Sequence, residues 1–208
     1  MAQLYYRYST MNAGKSLEVL KIANNYEEEN KHVLIFTSAL EDRYKKGYVY
    51  SRVGLSRKAL IFDDDTDFTT IVQEKNDILI ENGDKLSCIL IDEGQFLTFK
   101  HVMQLTQIVD YMDIPIIVYG LKNDFQNNLF EGSLNLLLYA DKIEEVKTVC
   151  WFCNKKATMT LRVNDGIPVY TGSQIQIGDN QDYLPVCRKC YANPNIQDHP
   201  FFKQDKSW

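Results

Sequence analysis

Short, nearly unbroken apolar runs punctuate the first two thirds of the chain: Leu4 to Tyr8, Lys31 to Thr37, Lys58 to Phe62, Ser87 to Ile91 and Pro115 to Tyr119. Runs of this length without alternation mark strands covered on both faces. Between them, apolar positions at helical spacing predict helices over Leu17 to Tyr26, over about Asp67 to Glu81, and from a Thr98 cap to about Asp113, with Val102, Leu105, Ile108, Val109 and Met112 on the buried stripe. Gly120 is expected to end the strand before it, Leu134 to Tyr139 reads as a short helix, and Lys142 to Val149 as a last, alternating strand. Strands that alternate with helices predict an α/β fold with a mostly parallel sheet. From Cys150 onward apolar strands give way to a hairpin-like region rich in Gly and Asn, which places a boundary near residue 148 and divides the chain into 1–148, 149–193 and a tail, 194–208.

Two of the strands end in chemistry. After the first comes Ser9-Thr10-Met11-Asn12-Ala13-Gly14-Lys15-Ser16, which reads as a phosphate-binding loop of the form G-x-x-x-x-G-K-[ST], with Ser9 in place of the first glycine. In such a loop backbone N–H groups wrap the phosphates of ATP, the lysine reaches the β and γ oxygens, and the hydroxyl holds Mg²⁺. The run Ser87 to Ile91 ends in Asp92-Glu93. A carboxylate at a strand tip beside a phosphate loop can hold Mg²⁺, and the next residue can orient an attacking hydroxyl, so Asp92 is assigned to the metal and Glu93 to the general base. Glu41-Asp42-Arg43-Tyr44 follows another strand end, where ligands of open α/β sheets gather, although such a cluster reads equally as a solvated loop. Asp63-Asp64-Asp65 reads as a solvated turn and helix cap rather than a metal site. Phe125 and Phe130, on the loop after the Pro115 strand, could pack that loop down or sandwich a flat ligand.

Composition narrows the classes. The 208 residues are 45% hydrophobic, enough for one good core and a small appendage. No apolar run approaches the ~20 residues that span a bilayer, and the N-terminal stretch lacks a signal-peptide pattern, so a cytoplasmic location with no membrane partner is expected. A net charge of −5 with no long basic stripe disfavours nucleic acid as a partner. Cys150-x-x-Cys153 and Cys187-x-x-Cys190 together predict a tetrahedral structural zinc site, with a redox pair as the alternative. Cys88, in mid-strand, is expected to be inert, and His32, His101 and His199 lack companions at ligand spacing.

These motifs together resemble one family. Met11 to Ser16, Ile91-Asp92-Glu93-Gly94-Gln95-Phe96, Tyr119-Gly120-Leu121 with Asp124-Phe125, the two cysteine pairs, and Tyr183 through Val186-Cys187-Arg188 are similar to the zinc-containing, homotetrameric thymidine kinases, as distinct from the herpesvirus type, over Gln3 to about Tyr191. The resemblance implies a RecA-like phosphate-loop domain plus a small zinc domain carrying a substrate-covering lasso loop. It implies ATP- and Mg²⁺-dependent phosphorylation of the 5′-hydroxyl of thymidine or deoxyuridine, feedback inhibition by dTTP, and a homotetramer.

By position, it implies that Ser9 to Ser16, Asp92 and Gln95 serve ATP and Mg²⁺, with Glu93 as base and Arg43 near the reacting phosphates. Met11, Phe96, Leu121, Phe125, Phe130 and Tyr183 line the nucleoside pocket, and backbone groups of Gln174, Ile175, Gln176, Ile177 and Gly178 read the thymine edge. For Phe125 and Phe130 the resemblance selects ligand contact. Ser9, Glu41 and Asp179 depart from the commonest family residues. A RecA-like ATPase acting on nucleic acid, and a zinc-ribbon adaptor with a vestigial loop, are the competing readings.

Overall fold

The computed structural model describes residues 1–41, 45–164, 167–174, 181–193 and 196–200. Its contacts divide the chain into two compact units. One comprises Met1–Tyr8, Gly14–Lys122 and Phe130–Val146; the other comprises Ser9–Ala13, Asn123–Leu129 and Lys147–Trp208. The second unit therefore includes two short segments that interrupt the first unit in the sequence.

The first unit is built on a six-stranded sheet. In chain order its strands are β1 (Leu4–Ser9), β2 (His32–Ser38), β5 (Leu60–Phe62), β6 (Leu86–Ile91), β7 (Ile116–Leu121) and β8 (Lys142–Glu145); a separate hairpin pairs β3 (Tyr48–Tyr50) with β4 (Ser56–Lys58). The spatial order is β5-β2-β6-β7-β1-β8, and every described register in this sheet is parallel. The expected α/β class with a mostly parallel sheet is what is observed.

Alternation along β6 explains its unbroken apolar sequence. Ile89 and Ile91 join Phe62, Phe68, Val102 and Leu105 in one buried cluster, which takes in helices α2 (Phe68–Glu81), α3 (Phe99–Met112) and α4 (Glu131–Tyr139). Cys88 and Leu90 join Val19, Leu20 and Ala23 of α1 (Lys15–Glu28) in a second cluster on the other face. A strand buried on both faces leaves little room for polar side chains, and the one polar residue of β6, Ser87, is only half-buried near the strand's start. Cys88 is fully buried, and that burial pushes its thiol pKa up to about 11, as suits an inert residue.

Local chemistry sets the helix ends. Thr98 accepts a hydrogen bond from the His101 N–H at 3.3 Å, and the His101 Nδ1 accepts from the Thr98 N–H at 3.1 Å, a capping box with histidine in the usual glutamate position. His101 is thus a buried structural residue, with burial lowering its pKa. The cap of α2 is Asp67, which accepts from the Thr70 N–H; Asp63, Asp64 and Asp65 form only the exposed turn before it. Three boundaries differ from expectation. Gly120 lies inside β7; β8 stops at Glu145, which pairs with Tyr8 of β1; and the stretch read as one strand from Lys58 is broken at Ala59 between β4 and β5.

The second unit is smaller. A three-stranded antiparallel sheet, ordered β10-β9-β11, is made of β9 (Met159–Asn164), β10 (Ile167–Val169) and β11 (Gln181–Val186), and a short helix, α5 (Arg188–Tyr191), follows Cys187. Leu161, Val163, Leu184 and Val186 form its core together with Cys150, Cys187 and Ile196.

Candidate functional site

In the first unit the site gathers where β6 leaves the sheet and α1 begins. Gly14 takes a left-handed backbone, φ 86°, immediately before Lys15 and Ser16 open α1. Ser16 Oγ donates to Asp92 Oδ2 at 2.7 Å. The two oxygens stand close to the ~3 Å that separates neighbouring corners of a Mg²⁺ octahedron with ~2.1 Å bonds. A hydroxyl and a carboxylate at this spacing are a donor set that fits Mg²⁺.

The pair is also electrostatically poised. Asp92 is buried, and burial together with the adjacent Glu93 charge raises its pKa to about 7, against the pull of Ser16 and Lys15. Two acids and a buried lysine beside a helix N-terminus make a compact charged cluster of the kind that accompanies a bound ion.

Glu93 is held in a costly conformation. Its φ of 59° and ψ of 37° are left-handed, uncommon for a residue that is neither Gly nor Asn. Gln95 supports it: the Gln95 Nε2 donates to the Glu93 carboxylate, while its Oε1 accepts from the Leu121 N–H at 3.0 Å. Gln95, expected with the nucleotide residues, has both ends of its amide engaged within the protein. The turn Gly94–Phe96 fits beneath α4 only because side chains are missing there. A Cβ on Gly132 would come within 2.4 Å of the Gly94 carbonyl oxygen, and one on Gly94 within 2.2 Å of Val118 Cγ1. Phe96 meets Phe130 edge-on at 6.0 Å, and Phe130 and Leu121 are buried. Arg43 lies outside the described residues.

In the second unit the four cysteines converge. The Sγ atoms of Cys150, Cys153, Cys187 and Cys190 all lie within 4.8 Å of one another, with Cys153 at 3.7 Å from Cys187 and 3.8 Å from Cys190. A tetrahedron of ~2.3 Å Zn–S bonds has edges of ~3.8 Å, so these residues fit zinc. The crowding shows in the thiols themselves. For Cys187, burial opposes ionisation, but hydrogen bonds from the Cys190 backbone and the neighbouring thiols outweigh it and lower the pKa to about 7; burial and the same neighbours push Cys190 up. Four thiolates leave no open coordination position, so the arrangement suits a structural rather than a catalytic ion.

The same unit holds several of the residues expected at the nucleoside site. The Asn12 side-chain amide donates to the Tyr183 carbonyl at 2.9 Å, and the Met11 N–H to Thr160 Oγ1 at 3.5 Å. Asp124 organises the Asn123–Leu129 segment: its Oδ1 accepts from the N–H groups of Gln126 and Asn128, both at 2.8 Å, and its Oδ2 from Gln174 Nε2 at 3.0 Å. Phe125 is buried at 2% exposure. Ile175, Gln176, Ile177, Gly178 and Asp179 lie outside the described residues. Sequence reasoning missed the buried Arg162, which packs on Phe125, and Tyr191, whose hydroxyl bonds the Phe125 carbonyl. Thr160, Arg162 and Asn164 alternate with Leu161 and Val163 along β9, so by period Arg162 reads as an ordinary outward position and nothing local marks it.

The comparisons agree with this chemistry. A family model described as thymidine kinase matches residues 2–191. The chain is 59% identical over 199 residues to a thymidine kinase of Listeria monocytogenes, covering 95% of this chain and 100% of that protein. It is 58% identical over 197 residues to one of Shouchella clausii, covering 94% and 99%, and 56% identical over 196 residues to one of Streptococcus agalactiae, covering 94% and 100%.

Proposed function

The chain belongs to the thymidine kinase family, and on that premise we propose that it transfers the γ-phosphoryl group of ATP to the 5′-hydroxyl of thymidine or deoxyuridine, giving the nucleoside 5′-monophosphate and ADP. The observation that carries this reading is the strand tip at which Ser16, Asp92 and a conformationally strained Glu93 meet.

In this mechanism backbone groups from Ser9 to Gly14 and the Lys15 ammonium bind the phosphates. Ser16 and, less directly, Asp92 would hold Mg²⁺, which would supply neutralisation of the phosphate charge. Glu93 accepts the proton of the 5′-hydroxyl as its oxygen bonds phosphorus and the bridging oxygen departs with ADP. Gln95 serves by fixing the Glu93 carboxylate. Arg43 takes the role of neutralising the transferring group on the resemblance alone. Met11, Phe96, Leu121, Phe125, Phe130 and Tyr183 line the nucleoside pocket, and backbone groups of Gln174 to Gly178 satisfy the base edge. A snug apolar pocket of this kind rejects the larger purines.

The same reading takes residues 1–148 as the ATP-binding domain, 149–193 as the zinc-binding, substrate-covering domain and 194–208 as a tail. It includes a bound Zn²⁺, inhibition by dTTP and a cytoplasmic homotetramer. No described helix is long and apolar enough to cross a membrane, and the exposed apolar side chains Leu134, Leu138, Tyr139 and Ile143 offer a surface for subunit contact.

Incubation with ATP, Mg²⁺ and each nucleoside in turn tests the proposal. Thymidine and deoxyuridine should yield monophosphates. ATP hydrolysis to ADP and phosphate stimulated by single-stranded DNA, with no nucleoside monophosphate formed, would replace it with the ATPase reading.

A further inference from the structure

Arg162 is buried with two of its three guanidinium nitrogens lacking a hydrogen-bond acceptor among the described residues. It sits on the middle strand β9, with Val169 of β10 and Tyr183 of β11 as register partners, and is 4% exposed. Those two nitrogens are Nε and Nη1. Buried donors are almost always satisfied, and an orphaned pair on a charged group costs stability. Methionine or leucine could occupy a buried strand position of this kind without that cost.

What the guanidinium does have is an aromatic face. Its Cζ lies 4.9 Å from the centroid of the Phe125 ring, within cation–π range and removed from water. Gly172 closes over the pair: a Cβ there would stand 3.5 Å from Nη1 and 4.0 Å from Phe125 Cζ. The backbone of Phe125 is fixed separately, by the Tyr191 hydroxyl donating to its carbonyl at 2.6 Å. Tyr191 directly follows Cys190, so one end of Phe125 is tied to the cysteine cluster and its ring to Arg162.

We propose that Arg162 is a positioning residue for nucleoside binding, holding the Phe125 ring at the tilt a flat pyrimidine requires while lowering the stability of the free fold. The proposal rests on the kinase reading above, with Phe125 beside the base. A residue that is less favourable than its apolar replacement in the empty protein, yet packs on a recognition side chain, follows the pattern of groups retained for function at a cost in stability.

The test uses the full-length, zinc-loaded protein and the variant Arg162→Met. The KM for thymidine should rise roughly 2- to 30-fold, the span of cation–π energies, with kcat and the KM for ATP unchanged. The melting temperature without ligand should stay level or rise. Arg162→Lys, which keeps the charge, should recover part of the lost KM. In a Phe125→Leu background Arg162→Met should change KM no further, because the residue acts through the ring. An unchanged thymidine KM with a lowered melting temperature makes Arg162 merely structural and overturns the proposal, as does a fully additive effect in the Phe125→Leu background. An unmodified protein that phosphorylates no nucleoside fails the kinase reading instead, so the two failures are distinct.

Discussion

The two compact units are held together by different physics. The first sandwiches a parallel sheet between two layers of buried apolar side chains, so that single strands such as β6 contribute to both cores. The second has one small cluster, of whose seven buried members two are cysteines of the metal-type group. A core of that size offsets little of the ordering entropy of its strands. It is supplemented by four converging thiols and by the polar bonds of Asp124, Tyr191 and Asn12. Lys15, Ser16, Asp92 and Glu93, which carry phosphoryl transfer under the proposed function, stand on the unit with the two large apolar clusters. Phe125, Gln174 and Tyr183, which read the base under the proposed function, stand on the unit that carries the four-cysteine cluster.

That contrast can be broken from either side. Cys190→Ser should have the largest effect, since a structural zinc contributes ~10–16 kcal/mol in small domains. The variant should lose its zinc by elemental analysis and its thymidine binding by calorimetry, while far-UV circular dichroism retains the helices of the first unit. Glu93→Gln comes next: kcat should fall ~10²–10⁴-fold, with thymidine and ATP binding and the melting temperature little changed. Near-normal turnover would remove Glu93 from the base role.

Asp124→Ala leaves the N–H groups of Gln126 and Asn128 and the Gln174 amide without their acceptor. Denaturant unfolding should show a loss of about 2 kcal/mol, confined to the second unit, with a raised thymidine KM. Thr98→Ala is the smallest change. It should cost about 1 kcal/mol in the first unit by removing a helix cap, and should leave activity intact.

What was legible in the sequence follows the same division. Strands buried on both faces write their position as apolar runs, which is why β2 and β6 were found within a residue or two of their ends. Thr98 and the four cysteines carry their chemistry in the side chain itself, so they too were readable. The β3–β4 hairpin was missed because its strands are three residues each, and β4 carries Ser, Arg and Lys with no apolar period. Gly120 misled because a glycine in mid-strand reads as a stop. Here it admits the Gln95 backbone: a Cβ would stand 3.0 Å from the Gln95 nitrogen. The roles of Gln95, Asp124 and Arg162 were beyond reach, since each depends on a partner far away in sequence that no local pattern specifies.

The most direct test of the central claim is amide hydrogen exchange of the whole protein before and after zinc is stripped. The account predicts that Cys88 to Ile91 of β6 keep their slow exchange, while Thr160 to Val163 of β9 and the Asn123–Leu129 segment exchange freely once the metal is gone. Protection of β9 that survives zinc removal, or a β6 that collapses along with it, would contradict the division of this chain into a part held by burial and a part held by metal.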